Sequence, residues 1–300
     1  MTTTAASPAG TPGGRSTPSF PERFRTGRAT HGPLVLGLDP SGELLRSWGL
    51  NDDAEGLERF VDISVEAAVG SVAVTKPQSA FYERQGWAGI RALTRLVAEL
   101  RQAGVLVLLD AKRGDVGSTN QAYAEAYLGA DAPIPVDAMT LTAYLGLEAM
   151  GPFLDRAREA GSGLFIVTRS SNPEGRAIQT AVGTDGSSVE AGMVAALGRL
   201  NRAAGTDGSG SDGCGLFGAV FAASHDYPAD IDLVAMNGLF LVPGLGAQGT
   251  TPADVAECFA ACPERVLPSA SRSLLAAGPD VSRLRDAVLA FGAEVSAALS

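Results

Sequence analysis

The chain has 300 residues, of which 45% are hydrophobic and 19% are charged. This composition supplies enough apolar side chains for a full core and excludes an intrinsically disordered protein. The 33 acidic residues outnumber the 23 Lys and Arg residues, and the net charge of −10 disfavours binding to nucleic acids and anionic membranes over most of the surface. An anionic ligand would therefore need a local cluster of cationic side chains.

Targeting signals and cysteine usage favour a cytoplasmic protein. The first residues contain no apolar signal segment, and no run of 18 apolar residues occurs in the chain. The three cysteines are an odd number, which argues against a disulfide framework. Cys258 and Cys262 fall in one predicted helix, where packing explains them better than a metal site. We therefore expect no membrane segment and no bound metal.

The predicted elements begin after a polar tail. Residues 1–17 are mostly Thr, Ser, Pro, Gly and Ala, which predicts a disordered segment before a single domain over 18–300. Short apolar runs then recur through the chain, each followed by polar or glycine residues. We predict strands at 34–39, 71–76, 105–110, 136–142, 163–169, 215–224, 238–244 and 265–271.

Amphipathic segments lie between these runs. Eight strands alternating with helices over roughly 250 residues favour a (β/α)8 barrel, with a doubly wound open sheet as the alternative. The Gly, Ser and Asp-rich segment 205–214 is typical of a surface insertion. We predict helices at 54–69, 87–103, 187–204, 252–262 and 281–299.

The third strand carries the most informative motif. Its apolar run gives way to Asp110, Lys112 and Asp115. Such a run predicts a parallel strand buried on both faces, and the carboxyl end of such a strand is where α/β folds carry their chemistry. Because side chains alternate along a strand, Asp110 and Lys112 should point the same way. The spacing alone also fits ordinary solvated charges, so the other strands must decide.

The ends of the other strands supply complementary groups. A barrel brings all eight carboxyl ends to one face, so the polar residues there should converge on one pocket. They include lysines, carboxylates, hydroxyl groups, an amide and an arginine, which suit a polar, anionic ligand. The residues at these ends are Asp39, Lys76, Asp110 with Lys112, Thr142, Ser170 with Ser171, His225, Gln248, and Ser271 with Arg272.

The segment after the seventh strand contains a G-x-G-x-x-G pattern, from Gly244 to Gly249. A dinucleotide-binding fingerprint would place an acidic residue at the end of the next strand. Here Glu264 precedes that strand, and Arg272 follows it. A glycine-rich loop after strand seven with a cation after strand eight instead indicates a barrel phosphate site, and hence a monophosphate ligand.

Six motifs in order resemble the orotidine 5′-monophosphate decarboxylase family, in its longer bacterial subgroup. The resemblance extends from about Phe20 to the end of the chain and implies a (β/α)8 barrel. The motifs are LDAKRGDVGST at 109–119, which is the most specific, GLDPS at 37–41, TKPQSAFYE at 75–83, SSNPEG at 170–175, VPGLGAQG at 242–249 and SASR at 269–272.

The resemblance implies a charged catalytic group. Lys76, Asp110, Lys112 and Asp115 would form an alternating charge array, with Lys112 as the proton donor to the carbon that loses CO2. Asp39 and Lys76 would bind the ribose hydroxyls. Because the protein's own charges would stabilise the carbanion, the resemblance implies no metal and no organic cofactor.

The resemblance also implies a homodimer and a set of substrate contacts. Asp115 and Thr119 would reach the partner's active site. Ser171 would bind the pyrimidine amide, and Pro243 would pack near the base. No role carries over to His225. The phosphate contacts would be Gln248, Gly249, Ser271 and Arg272, and Gln248 would also bridge the phosphate to the pyrimidine.

Two other functions remain open from the sequence. A related barrel decarboxylase or aldolase would act on a sugar phosphate with Mg²⁺, although Lys76 stands where a metal site would want a carboxylate and Gln248 suits a base. A barrel without activity would bind a nucleotide or a partner protein. That alternative predicts the loss of a charged residue from the array, and all four are present.

Overall fold

A computed structural model describes residues 18–203, 213–223 and 231–300. Its eight strands are parallel and close into a barrel in sequence order, because each strand pairs with the next and the last pairs with the first. Every predicted strand is confirmed. The strands are β1 Val35–Leu38, β2 Val74–Pro77, β3 Leu106–Arg113, β4 Ala138–Leu141, β5 Gly163–Arg169, β6 Phe217–Phe221, β7 Phe240–Val242 and β8 Val266–Ala270.

Helices surround this barrel, and side-chain caps define several of their starts. The Asp53 carboxylate accepts from the Gly56 N–H at 2.9 Å, and the Asp280 carboxylate accepts from the Arg283 N–H at 2.8 Å. The helices are α1 Phe20–His31, α2 Gly42–Ser47, α3 Ala54–Ala68, α4 Ser79–Glu83, α5 Gly86–Gln102, α6 Gly117–Tyr127, α7 Gly151–Ala160, α8 Arg176–Gln179, α9 Val189–Ala203, α10 Pro252–Cys258, α11 Arg272–Leu275 and α12 Val281–Ala298. Single 3₁₀ turns occupy Glu148–Met150, Pro173–Gly175 and Pro263–Arg265.

One predicted helix is too long. The helix expected over 252–262 ends at Cys258, so Cys258 and Cys262 do not share it. Pro263 explains why Cys262 itself is not helical, since a proline disfavours helical backbone at the residue before it, and Cys262 has φ −153° and ψ 50°. Both thiols are free, and burial raises the pKa of Cys258 to about 12 and that of Cys262 to about 11.

Three sequence predictions fall outside the described residues. They concern the tail 1–17, most of the insertion 205–214, and His225. In the part of the chain that is described, no helix is long and apolar enough to cross a membrane.

The barrel interior is a packed apolar core. Alternate strand residues such as Val74, Leu106 and Leu108 point inward, while the residues between them face the surrounding helices. Helix α1 closes the N-terminal end of the barrel, where the Phe20 ring packs edge-on against Phe165 at 5.9 Å between centroids. At the opposite, C-terminal end, the inward-facing positions of the strands are occupied by polar side chains.

Candidate active site

The inward positions of the strands continue into polar residues at the C-terminal end. On β3, Leu106 and Leu108 belong to the interior core, so the next inward position is Asp110. On β2, Val74 points inward, and the next inward position is Lys76. The alternation that builds the core therefore also aims a carboxylate and an ammonium group at the same space.

Asp110 holds two lysines. Its Oδ2 accepts from Lys76 Nζ at 3.0 Å, and its Oδ1 accepts from Lys112 Nζ at 2.6 Å. Asp110 and Lys76 are buried, whereas 44% of the Lys112 side chain is exposed. We call Lys76, Asp110 and Lys112 the charged triad. Its geometry confirms that Asp110 and Lys112 lie side by side, and it leaves Lys112 as the member that can meet a ligand.

The charges of the triad stabilise one another. Burial alone would raise the pKa of Asp110, but attraction from Lys76 and Lys112 more than offsets it, and the net shift is well downward. Burial would likewise lower the pKa of Lys76, but the Asp110 and Asp39 carboxylates raise it above its ordinary value. The carboxylate and the buried lysine therefore stay ionised at neutral pH.

The backbone at Lys112 departs from a regular strand. Leu109 pairs with Met139, but the next partners are Arg113 and Leu141, so β3 bulges here. Lys112 has a φ of 46°, which lies in the left-handed region that residues with a side chain seldom adopt. Simple alternation predicts the direction of Lys112 correctly but does not predict this bulge.

Gly114 allows the chain to leave the strand after the bulge. A Cβ at this position would lie 2.1 Å from the Thr142 carbonyl oxygen, so any side chain would collide with β4's continuation. The Thr142 N–H in turn donates to the Arg113 carbonyl at 2.8 Å. Thr142, predicted at a strand end, thus supports the turn through its backbone and does not line the cavity.

Two residues near the triad were missed by the sequence reasoning. The Thr140 hydroxyl donates to Asp110 Oδ1 at 2.9 Å. Gln78 lies between Asp110 and Lys112, and turning its amide nitrogen toward the Asp110 carbonyl lets its amide oxygen accept from Lys112 Nζ at 3.2 Å. Gln78 lies inside the motif TKPQSAFYE, and Thr140 is the inward residue after Ala138, so both positions carried a usable signal.

A cavity of about 270 Å³ opens above the triad. The other lining residues include Gln78, Phe81 and Asn172. Ten of the residues predicted to meet in one pocket line it: Asp39, Lys76, Asp110, Lys112, Ser170, Ser171, Pro243, Gln248, Ser271 and Arg272.

Two polar atoms of this cavity have no hydrogen-bond partner among the described residues. They are Asp39 Oδ1 and the Ser271 hydroxyl oxygen, and both are buried. Buried polar atoms are normally paired, so these two are suited to bind a polar ligand. Gly37 makes room for Ser271, because a Cβ on Gly37 would lie 2.6 Å from the Ser271 Cβ.

The glycine-rich loop after β7 contributes a side chain to the cavity. Gln248 lines it, whereas Gly249 does not. The N–H groups of Gly246 and Gly249 donate within the loop, to the Thr250 and Gly246 carbonyls, both at 3.0 Å. These two amides stabilise the loop itself, so Gln248 and Arg272 are the loop and helix residues that face a ligand.

Asp115 and Thr119 lie away from the cavity of their own chain. Asp115 Oδ1 accepts from the Val116 N–H at 2.7 Å, and the Asp115 N–H donates to Asn120 Oδ1 at 2.8 Å. Thr119 and Val116 are exposed. Among the described residues, no group of three or more His, Cys, Asp or Glu side chains is arranged to hold a metal ion.

The fold and the site together define a class: a (β/α)8 barrel enzyme whose charged triad and cationic rim face an anionic ligand at the C-terminal end. The model of the family described as "Orotidine 5'-phosphate decarboxylase / HUMPS family" matches residues 32–287, and this chain belongs to that family.

Named relatives extend over almost the whole chain. An orotidine 5′-phosphate decarboxylase of Streptomyces coelicolor is 48% identical over 94% of this chain and 98% of its own length. One of Salinispora arenicola is 46% identical, with 94% and 99% covered. Among solved structures, a Streptomyces avermitilis protein superimposes with a TM-score of 0.88 at 47% identity, covering 95% of this chain and 97% of that one. The OMP decarboxylase of Leishmania donovani gives 0.72 at 25%, with 94% and 99% covered.

Proposed function

We infer that this chain converts orotidine 5′-monophosphate to UMP and CO2. The observation that carries the inference is the Lys112 ammonium, held on Asp110 and exposed to a cavity whose rim carries Arg272 and Gln248. Family membership and relatives of 43–48% identity that bear this activity's name support it.

The residues of the cavity fit the parts of that substrate. We place the phosphate at Arg272, Ser271 and Gln248, the base against Ser171 and Pro243, and the ribose hydroxyls at Asp39 and Lys76. Asp39 Oδ1 and the Ser271 hydroxyl would then gain the partners that the protein does not supply. In this orientation the carboxylate of the base approaches the charged triad.

Lys112 is the residue that we propose acts at the reacting carbon. When the bond between C6 and the carboxylate breaks, CO2 leaves and the electron pair stays on C6. An ammonium group about 4 Å from this carbanion stabilises it by roughly 4 kcal/mol at an effective dielectric near 20. Lys112 then donates a proton from Nζ to C6, which completes UMP, and water returns a proton to the amine.

Asp110 and Lys76 prepare this step. Asp110 fixes Lys112 at 2.6 Å and Lys76 at 3.0 Å, so the ammonium group is in place before the substrate arrives. Because these charges are already in place, little reorganisation of the site or of water is needed when the carbanion forms. Asp110's primary role is therefore to position the two lysines.

The phosphate lies away from the bond that breaks. Arg272 and Gln248 therefore contribute binding energy that holds the substrate over the triad, where it increases the rate of the remote step. Arg272 suits this role because its guanidinium donates several hydrogen bonds to one phosphate.

We further propose that the active enzyme is a homodimer in which Asp115 and Thr119 act across the interface. Within its own chain Asp115 lies outside the cavity, and Thr119 and Val116 are exposed beside it. An isologous interface through this loop would bring Asp115 of one subunit toward Lys112 of the other. The cytoplasmic location stays a prediction of the sequence.

The activity is tested by mixing the purified protein with orotidine 5′-monophosphate and following its ultraviolet absorbance. We expect the absorbance to fall as UMP and CO2 form in equal amounts, and no change in the absence of protein. Intact substrate after prolonged incubation would reject the activity and leave a nucleotide-binding barrel as the alternative.

The Mg²⁺-dependent alternative has a separate test. Both Asp110 oxygens already accept from ammonium groups, so a divalent cation at this carboxylate would have to displace a lysine. We expect full activity after dialysis against EDTA. Activity that disappears on this treatment and returns with Mg²⁺ would support the sugar-phosphate type of barrel instead.

A further inference from the structure

Thr140 lies between two parts of the charged triad, the Lys112 backbone and the Asp110 carboxylate. It is fully buried on β4, and its side chain follows the inward position of Ala138. Its hydroxyl contacts both the backbone of Lys112 and the carboxylate of Asp110. Among the described residues of β4, it is the side chain that contacts both.

The first contact, with the Lys112 N–H, supplies a hydrogen-bond acceptor at the bulge in β3. Between Leu109 and Arg113 the regular pairing of β3 with β4 is interrupted. The Lys112 N–H donates instead to Thr140 Oγ1 at 3.0 Å. A side-chain oxygen thus takes the place of the carbonyl that a regular ladder would offer.

The second contact has a fixed direction. A hydroxyl has one proton to donate, and a carboxylate can only accept. Thr140 therefore accepts from the Lys112 N–H and donates to Asp110 Oδ1, at 2.9 Å. Asp110 Oδ1 also accepts from Lys112 Nζ at 2.6 Å, so the hydroxyl links both ends of the same lysine to one carboxylate oxygen.

This linkage matters because the Lys112 backbone is unfavourable on its own. Its φ of 46° persists only where the surroundings hold it. We propose that Thr140 is a positioning residue of the decarboxylation, whose hydroxyl holds the Lys112 backbone and the Asp110 carboxylate in the geometry that aims the Lys112 ammonium at the substrate. This proposal rests on the proposed function, since it assigns Thr140 its effect through Lys112.

The test replaces the hydroxyl without changing the shape of the side chain. Thr140→Val should lower kcat by about 10- to 100-fold, the effect of losing one hydrogen bond to a charged group. KM and the affinity for UMP should stay within about 2-fold, because Thr140 does not line the cavity. Thr140→Ser keeps the hydroxyl and should restore most of kcat.

Thr168→Val is the matched control. Thr168 is also buried on a barrel strand, but its hydroxyl donates to the Ile166 carbonyl of its own strand at 3.1 Å and does not contact the triad. We expect its kcat to stay within about 2-fold of wild type. Equal losses of kcat in Thr140→Val and Thr168→Val would overturn the proposal, since a general packing defect would then explain both.

A third substitution keeps the test valid if Thr140→Val does not fold. Thr140→Cys has a weak donor of similar size, so kcat should fall in the order Thr, Ser, Cys. A Cys variant as active as Ser, or a kcat loss matched by an equal rise in KM, would contradict the positioning role. A wild-type protein without decarboxylase activity would reject the proposed function itself, whereas active wild type with fully active Thr140→Val rejects only the role of Thr140.

Discussion

Both ends of the barrel bury a carboxylate between two cations, yet only one end has the properties of an active site. At the C-terminal end Asp110 accepts from Lys76 and Lys112, at 3.0 and 2.6 Å. At the N-terminal end Asp137 accepts from Arg23 at 2.6 Å and Arg101 at 3.3 Å. We call the second group the arginine cluster.

The kind of cation separates the two ends. Arg23 on α1 and Arg101 on α5 meet at Asp137, whose other oxygen accepts from the Val107 N–H at 2.9 Å, so this carboxylate ties two helices to the barrel. A guanidinium does not give up a proton at ordinary pH, whereas an ammonium can. The arginine cluster is therefore suited to hold structure, and the charged triad is suited to proton transfer.

The volumes of the two cavities do not identify the active site. A hollow of about 1130 Å³ lies beside the arginine cluster, against about 270 Å³ above the triad. Among the described residues, the smaller cavity contains two buried oxygen atoms without a hydrogen-bond partner, Asp39 Oδ1 and the Ser271 hydroxyl, and the larger hollow contains one nitrogen, Arg23 Nε. The exposed Lys112 ammonium beside these two oxygen atoms, and not the cavity volume, makes the smaller cavity the candidate active site.

The largest expected effect comes from removing Lys112 from the charged triad. Removing Arg101 from the arginine cluster is the matched control. Lys112→Ala should lower kcat by about 10³-fold or more, because it removes both the charge beside the carbanion and the proton donor, while UMP still binds. Arg101→Ala should leave kcat within about 2-fold. Steady-state kinetics and calorimetric UMP titration measure both. Turnover of Lys112→Ala near the wild-type rate would exclude this lysine from the mechanism.

A second pair compares the two ends of β8. Arg272 follows the strand at the cavity, and Arg265 precedes it, where it donates to the Val234 carbonyl at 2.9 Å. Arg272→Ala should raise KM by roughly 10- to 100-fold, and added guanidinium should restore part of the affinity. Arg265→Ala should have the same KM as the wild type. Unchanged KM in Arg272→Ala would place the phosphate elsewhere.

Subunit mixing tests whether the triad is completed by a partner. Asp115→Ala and Lys112→Ala proteins should each be nearly inactive. After exchange, half of the dimers are mixed and each has one intact site, so about a quarter of the wild-type activity should return. Exchange demonstrated by mass spectrometry without any regained activity would rule out a shared site.

The smallest expected effect is the pH dependence of stability. The pKa of Asp110 is lower in the folded protein than in the unfolded chain, so Asp110 contributes stability above about pH 4 that is lost as the pH falls through the folded-state value. Relative to Asp110→Asn, the wild type should lose about 1–3 kcal/mol of unfolding free energy between about pH 6 and pH 2. Urea unfolding at each pH measures this, and parallel profiles would contradict it.

Much of the site could be predicted from the sequence because a barrel converts order along the chain into position. Once the strands are located, the residues at their carboxyl ends must meet, and this is why Asp39, Lys76, Asp110 and Arg272 share a cavity. The prediction needed only the approximate strand ends, and it did not need the exact facing of each residue.

The sequence did not reveal which way each side chain at a strand end points. Alternation assigns Thr140 and Thr142 to the same inward face, so it cannot distinguish Thr140, which contacts the triad, from Thr142, which does not. The bulge at Lys112 depends on a hydroxyl from another strand and on the closeness of Gly114 to β4, and neither interaction is local in the chain. Long-range contacts of this kind are absent from any pattern of spacing.

We claim that the buried carboxylate of Asp110 is required for the chemistry, whereas the buried carboxylate of Asp137 serves stability alone. The most direct test measures kcat per folded molecule and the unfolding free energy of two matched variants, Asp110→Asn and Asp137→Asn, at neutral pH. We predict that Asp110→Asn loses about 10³-fold or more in kcat while remaining folded, and that Asp137→Asn loses about 3 kcal/mol of stability while keeping kcat within about 2-fold. A variant of Asp137 that loses kcat as severely as the Asp110 variant, or an Asp110 variant with full activity, would contradict the claim.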